Sequence, residues 1–197
     1  MSNQTDRQLR DKALISVHAL TNLRISELRT IKISSIIEED GVYFLDVCPR
    51  VMKVKFAKAR QVVFLALPED IQENVMRWKK RLTSLGYKKD DPLFPAIDNR
   101  FNAENLLEDQ IRPNEIKSDT TIRNIFKKAF ESAGLEYINP HSFRNTIARH
   151  AQKESPEYLN AIRQNLGHSS IDTTLNSYGQ LSVHDQRKTI SETKLDI

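Results

Sequence analysis

The chain has one cysteine, Cys48, in 197 residues. That excludes an internal disulfide framework and fits a reducing compartment. Cys48 itself reads as a strand residue. Long apolar runs are also missing. The longest, residues 62–67, has the size of a strand and is far short of the roughly 20 residues that a membrane-spanning helix needs. The N-terminus is polar, so no secretory signal is expected. There are no internal repeats and no low-complexity segment. Metal-ligand patterns are absent: there is no H-E-x-x-H, and His141, His150 and His168 stand nine and eighteen residues apart, matching no usual zinc spacing. The segment around them lacks the paired carboxylates of a metal-dependent nuclease.

What is present predicts a soluble globular chain. Apolar residues make up 39% and mean hydropathy is negative, a balance that can bury a core without spanning a bilayer. The length fits one large domain or two small ones. A net charge of +4 permits a nucleic-acid partner without requiring one.

Periodicity divides the chain into elements. Residues 6–20 carry Leu9, Ala13, Leu14, Val17 and Leu20 at helical spacing. Thr21-Asn22 breaks that helix, and residues 26–32 begin another. His18 interrupts the stripe and reads as structural, as do His150 and His184. After the Asp40-Gly41 turn signal, residues 42–47, 51–56 and 61–67 read as three antiparallel strands. Pro68 opens a helix with Ile71, Val75, Trp78, Leu82 and Leu85 on its apolar face. Trp78 is at core spacing, so packing is expected of it and not base stacking. Residues 87–117, broken by Pro92, Pro95 and Pro113, predict a surface loop or an irregular DNA-facing segment. Ser118 or Asp119 caps a helix to Ala133. A helix starting at His141 then carries Arg144, and Ser155-Pro156-Glu157 starts another that ends at Gly167.

The stretch from residue 141 to 178 carries the chemistry. His141 and Arg144 can leave one helix face. Leu166-Gly167-His168 follows, with Tyr178 ten residues after the last histidine. H-x-x-R, L-G-H-S-S-I-x-T-T and the tyrosine resemble the catalytic half of the tyrosine recombinases, the phage-integrase family. T-N-L-R-I-S-E-L at residues 21–28 resembles that family's first arginine box, with Asn22 where the family usually has glycine. Asn tolerates a left-handed backbone, so the corner can survive. K-x-x-K-x-R at residues 55–60 resembles the family's lysine hairpin. Lys55 aligns with the catalytic lysine, but Val54 and Phe56 replace the flanking glycines and Lys58 is the alternate.

The resemblance covers about residues 6–182. It implies an α+β, mainly α-helical fold with a small three-stranded antiparallel sheet. Residues 1–182 would form the catalytic domain and 183–197 a tail. By the same resemblance, the family's N-terminal DNA-clamping domain would be absent from this chain. The implied partner is double-stranded DNA, bound by a homo-tetramer with possible accessory DNA-bending proteins. The implied setting is cytoplasmic, bacterial or phage-encoded, and nucleoid-associated. Tyr178 would attack a phosphodiester to give a 3′-phosphotyrosyl bond and a free 5′-hydroxyl, with neither ATP nor metal.

The residue types suit that reaction. The transition state gathers negative charge on non-bridging oxygens, and the planar, always-protonated forks of Arg24 and Arg144 match it. Such stabilisation is worth roughly 3–4 kcal/mol per well-placed donor. A phenol with pKa about 10 needs a base, and His141 is nearest in sequence. Lys55 would protonate the leaving oxygen and His168 would bond the phosphate. Glu27 would orient Arg24 or His141, while Lys58 and Arg60 would contact DNA. Two other readings remain open: a DNA-binding protein of this fold without chemistry, and an activity like that of type IB topoisomerases.

Overall fold

A computed structural model describes residues 4–47, 59–104 and 107–167. Six helices and five strands occur among them. Helix α1 (Asp6–Thr21) starts in a capping box: Thr5 Oγ1 accepts from the Gln8 N–H, and Gln8 Oε1 accepts from the Thr5 N–H. It ends on Asn22, whose φ of 51° is left-handed, the conformation the resemblance required of that position. The short α2 (Ile25–Leu28) follows, half the length that the sequence predicts. A turn follows in place of its second half, and a one-turn 3-10 helix comes after it at Ile33–Ser35.

The sheet has the order β1–β2–β3, with β1 at Ile36–Glu39, β2 at Val42–Val47 and β3 at Arg60–Val63, all antiparallel. Asp40 and Gly41 both take positive φ between β1 and β2, as a two-residue hairpin demands. The sheet is thus three-stranded as expected, but β1 was not foreseen. Only Ile36 of its four residues is buried, so I-I-E-E carries no alternation to read. Strand β3 is shorter than expected because Leu65 donates to the Leu20 carbonyl at the end of α1, 2.8 Å away, and leaves the ladder. Residues 48–58, with the expected strand 51–56, Cys48, Lys55 and Lys58 among them, lie outside the described residues.

Helix α3 (Glu69–Ser84) lies along α1. Val75, Trp78 and Leu82 are fully buried, whereas Leu85 is 41% exposed. Trp78 Nε1 donates to the Leu93 carbonyl at 2.7 Å, so the indole is both packed and satisfied. Residues 87–117 correct the expectation of a loop. They contain a long antiparallel ribbon, β4 (Pro95–Phe101) and β5 (Leu107–Glu115). Its outer part is charged on both faces, so no alternation marks it. Cross-strand pairs such as Arg112–Asp98 and the clamp of Arg7 on Asp109 hold it instead. Pro113 sits within β5, an edge strand where a missing N–H is tolerated.

Helices α4 (Asp119–Ser132), α5 (Pro140–Glu154) and α6 (Pro156–Leu166) begin at Ser118, Asn139 and Ser155, each accepting a backbone N–H as a cap. Two apolar clusters result. The larger joins α1, α3, α4 and the sheet; the smaller holds Ala148, Ala151, Ile162 and Leu166 between α5 and α6. The cleft described below lies where α5 meets the larger cluster. Because the corner at Asn22 needs a left-handed backbone, Asn22→Ala should lower stability by about 1 kcal/mol and Asn22→Gly by much less. Thermal melts of the two variants will check this.

Candidate phosphate-binding cleft

Arg24 caps α2 from an extended backbone, with its side chain 45% exposed. His141 is an exposed residue in the first turn of α5. Its N–H donates to Asn139 Oδ1 at 3.0 Å. Arg144, one turn on, is 2% exposed. Its Nη1 donates to the Asn22 carbonyl and its Nη2 to the Leu166 carbonyl, the latter at 3.0 Å. Both acceptors lie at helix C-termini, where unpaired carbonyls and the helix dipole favour a cation. Arg24, His141 and Arg144 line one cleft of about 510 Å³. Ser26 and Arg123 share it. Arg123 is an exposed residue of α4 that no sequence motif marks. A larger hollow of about 740 Å³ under the β4–β5 ribbon contains none of the motif residues.

Glu27 sits behind Arg24 and is 1% exposed. Its Oε2 accepts from the Arg24 N–H at 3.0 Å, and Arg24 Nη1 stands 3.6 Å from Oε1. Its main partner is Arg60, whose Nη1 and Nη2 donate to the two carboxylate oxygens at 2.9 and 3.0 Å. Burial alone would raise the Glu27 carboxyl. The Arg60 hydrogen bonds and charge, with help from the Arg24 N–H, outweigh it and hold the pKa below the usual glutamate value. Glu27 therefore contacts Arg24, and no bond from it to His141 occurs among the described residues. Arg60, expected on DNA, instead turns inward, with its side chain 11% exposed. His168 and Tyr178 fall outside the described residues.

His18 also borders the cleft. It is structural, as expected: its ring meets Phe126 and Phe143 edge-on, with centroids 5.1 and 5.8 Å away. Nε2 lies 3.1 Å from the Pro140 carbonyl, an obligate acceptor, so Nε2 carries the proton and ties α1 to the start of α5. His150, by contrast, is an exposed neighbour of Glu154.

These findings meet those of three comparisons. The chain belongs to the phage integrase family, whose model matches residues 1–185. It is 29% identical over 167 residues to tyrosine recombinase XerC of Thermodesulfovibrio yellowstonii, covering 84% of this chain and 48% of that protein. It is also 25% identical over 167 residues to tyrosine recombinase XerA of Pyrococcus furiosus, covering 85% of this chain and 49% of that protein. The chain thus spans about half the length of these curated relatives. Its fold is that of XerA recombinase (TM-score 0.63, 21% identity, 96% of this chain, 60% of that one). It is equally that of XerH site-specific recombinase bound to difH substrate (TM-score 0.65, 20% identity, 98% of this chain, 49% of that one).

Burial lowers the His18 pKa from 6.5 to about 4; the Pro140 carbonyl opposes this and the Arg144 charge adds to it. The folded value lies below the unfolded one, so the unfolded chain takes up the proton first. This contribution to stability is complete above pH 6.5 and is lost as pH falls toward 4. At about 1.4 kcal/mol per unit the loss is on the order of 3 kcal/mol. Urea midpoints across that window should show the slope, and His18→Gln should flatten it. An unchanged slope in the variant would place the titration elsewhere.

Proposed function

We propose that this chain is the catalytic unit of a site-specific DNA recombinase, with residues 1–182 as its core. The observation that carries the reading is the cleft itself. Arg24 and Arg144, from distant parts of the sequence, meet there beside His141. Two forks and an imidazole around one space suit a phosphodiester passing through a more highly charged state. Arg144 is held at two carbonyls, so its plane is set before substrate arrives and little reorganisation remains.

In this reading Tyr178 attacks phosphorus through its phenol oxygen. The phosphorus–O5′ bond breaks and the DNA 3′ end stays joined to the tyrosine. His141 takes the phenolic proton. Lys55, or Lys58 in its place, gives a proton to the leaving 5′-oxygen. Arg24, Arg144 and His168 hold the non-bridging oxygens. Rejoining is the reverse, so the bond energy is kept in the phosphotyrosyl link. Double-stranded DNA is the partner, a tetramer on two duplexes the assembly, with DNA-bending proteins as accessories, and the cytoplasm at the nucleoid the setting. The XerH site-specific recombinase, solved bound to its difH substrate, supports the choice of partner.

A nicked suicide duplex, incubated at low salt and resolved on a denaturing gel, should give a covalent protein–DNA band. Tyr178→Phe should abolish that band without loss of folding. Arg144→Lys keeps the charge but loses the planar fork, and should slow attachment by at least about a hundredfold. Normal attachment by either variant would overturn the assignment. Tight binding without any band, even after fusion to a DNA-clamping domain, would favour a binding protein of this fold.

A further inference from the structure

Behind the cleft, α2, β3 and the end of α6 meet around a second guanidinium. Arg60 opens β3 and sends both Nη groups to Glu27. Its Nε donates to the Asn165 carbonyl at 3.2 Å. That carbonyl belongs to the last turn of α6, next to the Leu166 carbonyl that Arg144 takes. The Asn165 side chain closes the joint from the other side. Its Oδ1 accepts from the Val63 N–H at 3.0 Å, and its Nδ2 donates to the Val63 carbonyl at 2.8 Å. Asn165 therefore pairs with the edge of β3 as an extra strand residue would.

Gly167 completes the packing. Its φ is +68°, the left-handed end that favours glycine. A Cβ there would lie 2.9 Å from Arg60 Cζ and 3.0 Å from Nε. The absent side chain leaves the room in which the guanidinium lies flat against the helix end. One residue later in the sequence comes His168. On the other side, Glu27 holds the backbone N–H of Arg24, which lines the cleft.

We infer that Arg60 is a positioning residue of the cleft and not a DNA contact. With Glu27 and Gly167 it sets the backbone from which Arg24 projects and the point where the chain leaves α6 toward His168. Its charge is matched by Glu27 and its donors face protein oxygens, so a DNA phosphate would have to compete with a buried carboxylate. A lysine at this position would keep the charge but could not bridge both carboxylate oxygens and the Asn165 carbonyl with one planar group. The catalytic half of this inference rests on the recombinase reading above; the binding half does not.

The test uses the full chain with Arg60→Gln, Arg60→Lys, Gly167→Ala and the double variant of the last two. Binding of a fluorescein-labelled duplex is titrated by anisotropy over a salt series. A phosphate contact contributes about 0.9 to the slope of log affinity against log salt, so a positioning role predicts an unchanged slope in Arg60→Gln, which removes the charge. Single-turnover attachment to the nicked duplex at saturating protein should fall by about tenfold or more in Arg60→Lys. Gly167→Ala should give a similar loss by pushing on the guanidinium, and the double variant should be no slower than Arg60→Lys alone. A slope reduced by about one with attachment at the wild-type rate would make Arg60 a DNA contact and overturn the inference. Losses that multiply in the double variant would also overturn it, because the two residues would then act separately. If the wild-type chain forms no Tyr178-dependent band even after fusion to a DNA-clamping domain, the recombinase reading fails, and the salt slope alone decides whether Arg60 faces DNA.

Discussion

The hydrogen bonds from the Arg144 guanidinium to the Asn22 and Leu166 carbonyls hold the rest of the arrangement together. A buried guanidinium is costly unless its donors are satisfied. Here the acceptors are the ends of two helices, which themselves need donors. The same pattern recurs at Arg60 and the Asn165 carbonyl. Helices α5 and α6 share only a small apolar cluster of their own. Their attachment to the main body therefore leans on these polar links, on the His18–Pro140 bond and on Phe143 against His18 and Phe126. The links form a circuit: Asn22 to Arg144, Arg144 to the end of α6, the end of α6 to Arg60, Arg60 to Glu27, and Glu27 back to Arg24.

That circuit explains how residues from distant parts of the sequence serve one cleft. Two of the three cleft arginines are fixed from behind, Arg144 by carbonyls and Arg24 through its own backbone N–H. Charge that is placed before the substrate arrives stabilises a transition state better than charge that must first be gathered. The arrangement also keeps Glu27 from drawing the cleft cations inward. Its carboxylate oxygens are already bridged by Arg60, and Arg24 Nη1 remains at 3.6 Å.

Much of this was legible in the sequence, chiefly where a residue type has a local conformational reason. The caps at Ser118 and Ser155, the left-handed corner at Asn22 and the end of α6 at Gly167 all follow from backbone preferences. The burial of Trp78 followed from spacing. The motif residues Arg24, His141 and Arg144 came together as the family pattern implied. Strand β1 and the β4–β5 ribbon were not legible, because neither alternates apolar with polar residues; the ribbon is held by charge pairs whose partners are distant in sequence. The pairing of Arg60 with Glu27 was not legible for a similar reason. Within K-x-x-K-x-R Arg60 looks like one more cation for DNA, and nothing local announces a carboxylate 33 residues earlier.

Native-state hydrogen exchange under increasing urea tests the circuit most directly. The account predicts that amides of α5 and α6 exchange through a partial opening of lower free energy than the one that releases α1 and α3. It also predicts that Arg144→Lys lowers that partial opening and leaves the α1 and α3 amides nearly unchanged. A single opening free energy shared by all four helices, and lowered equally by Arg144→Lys, would contradict it.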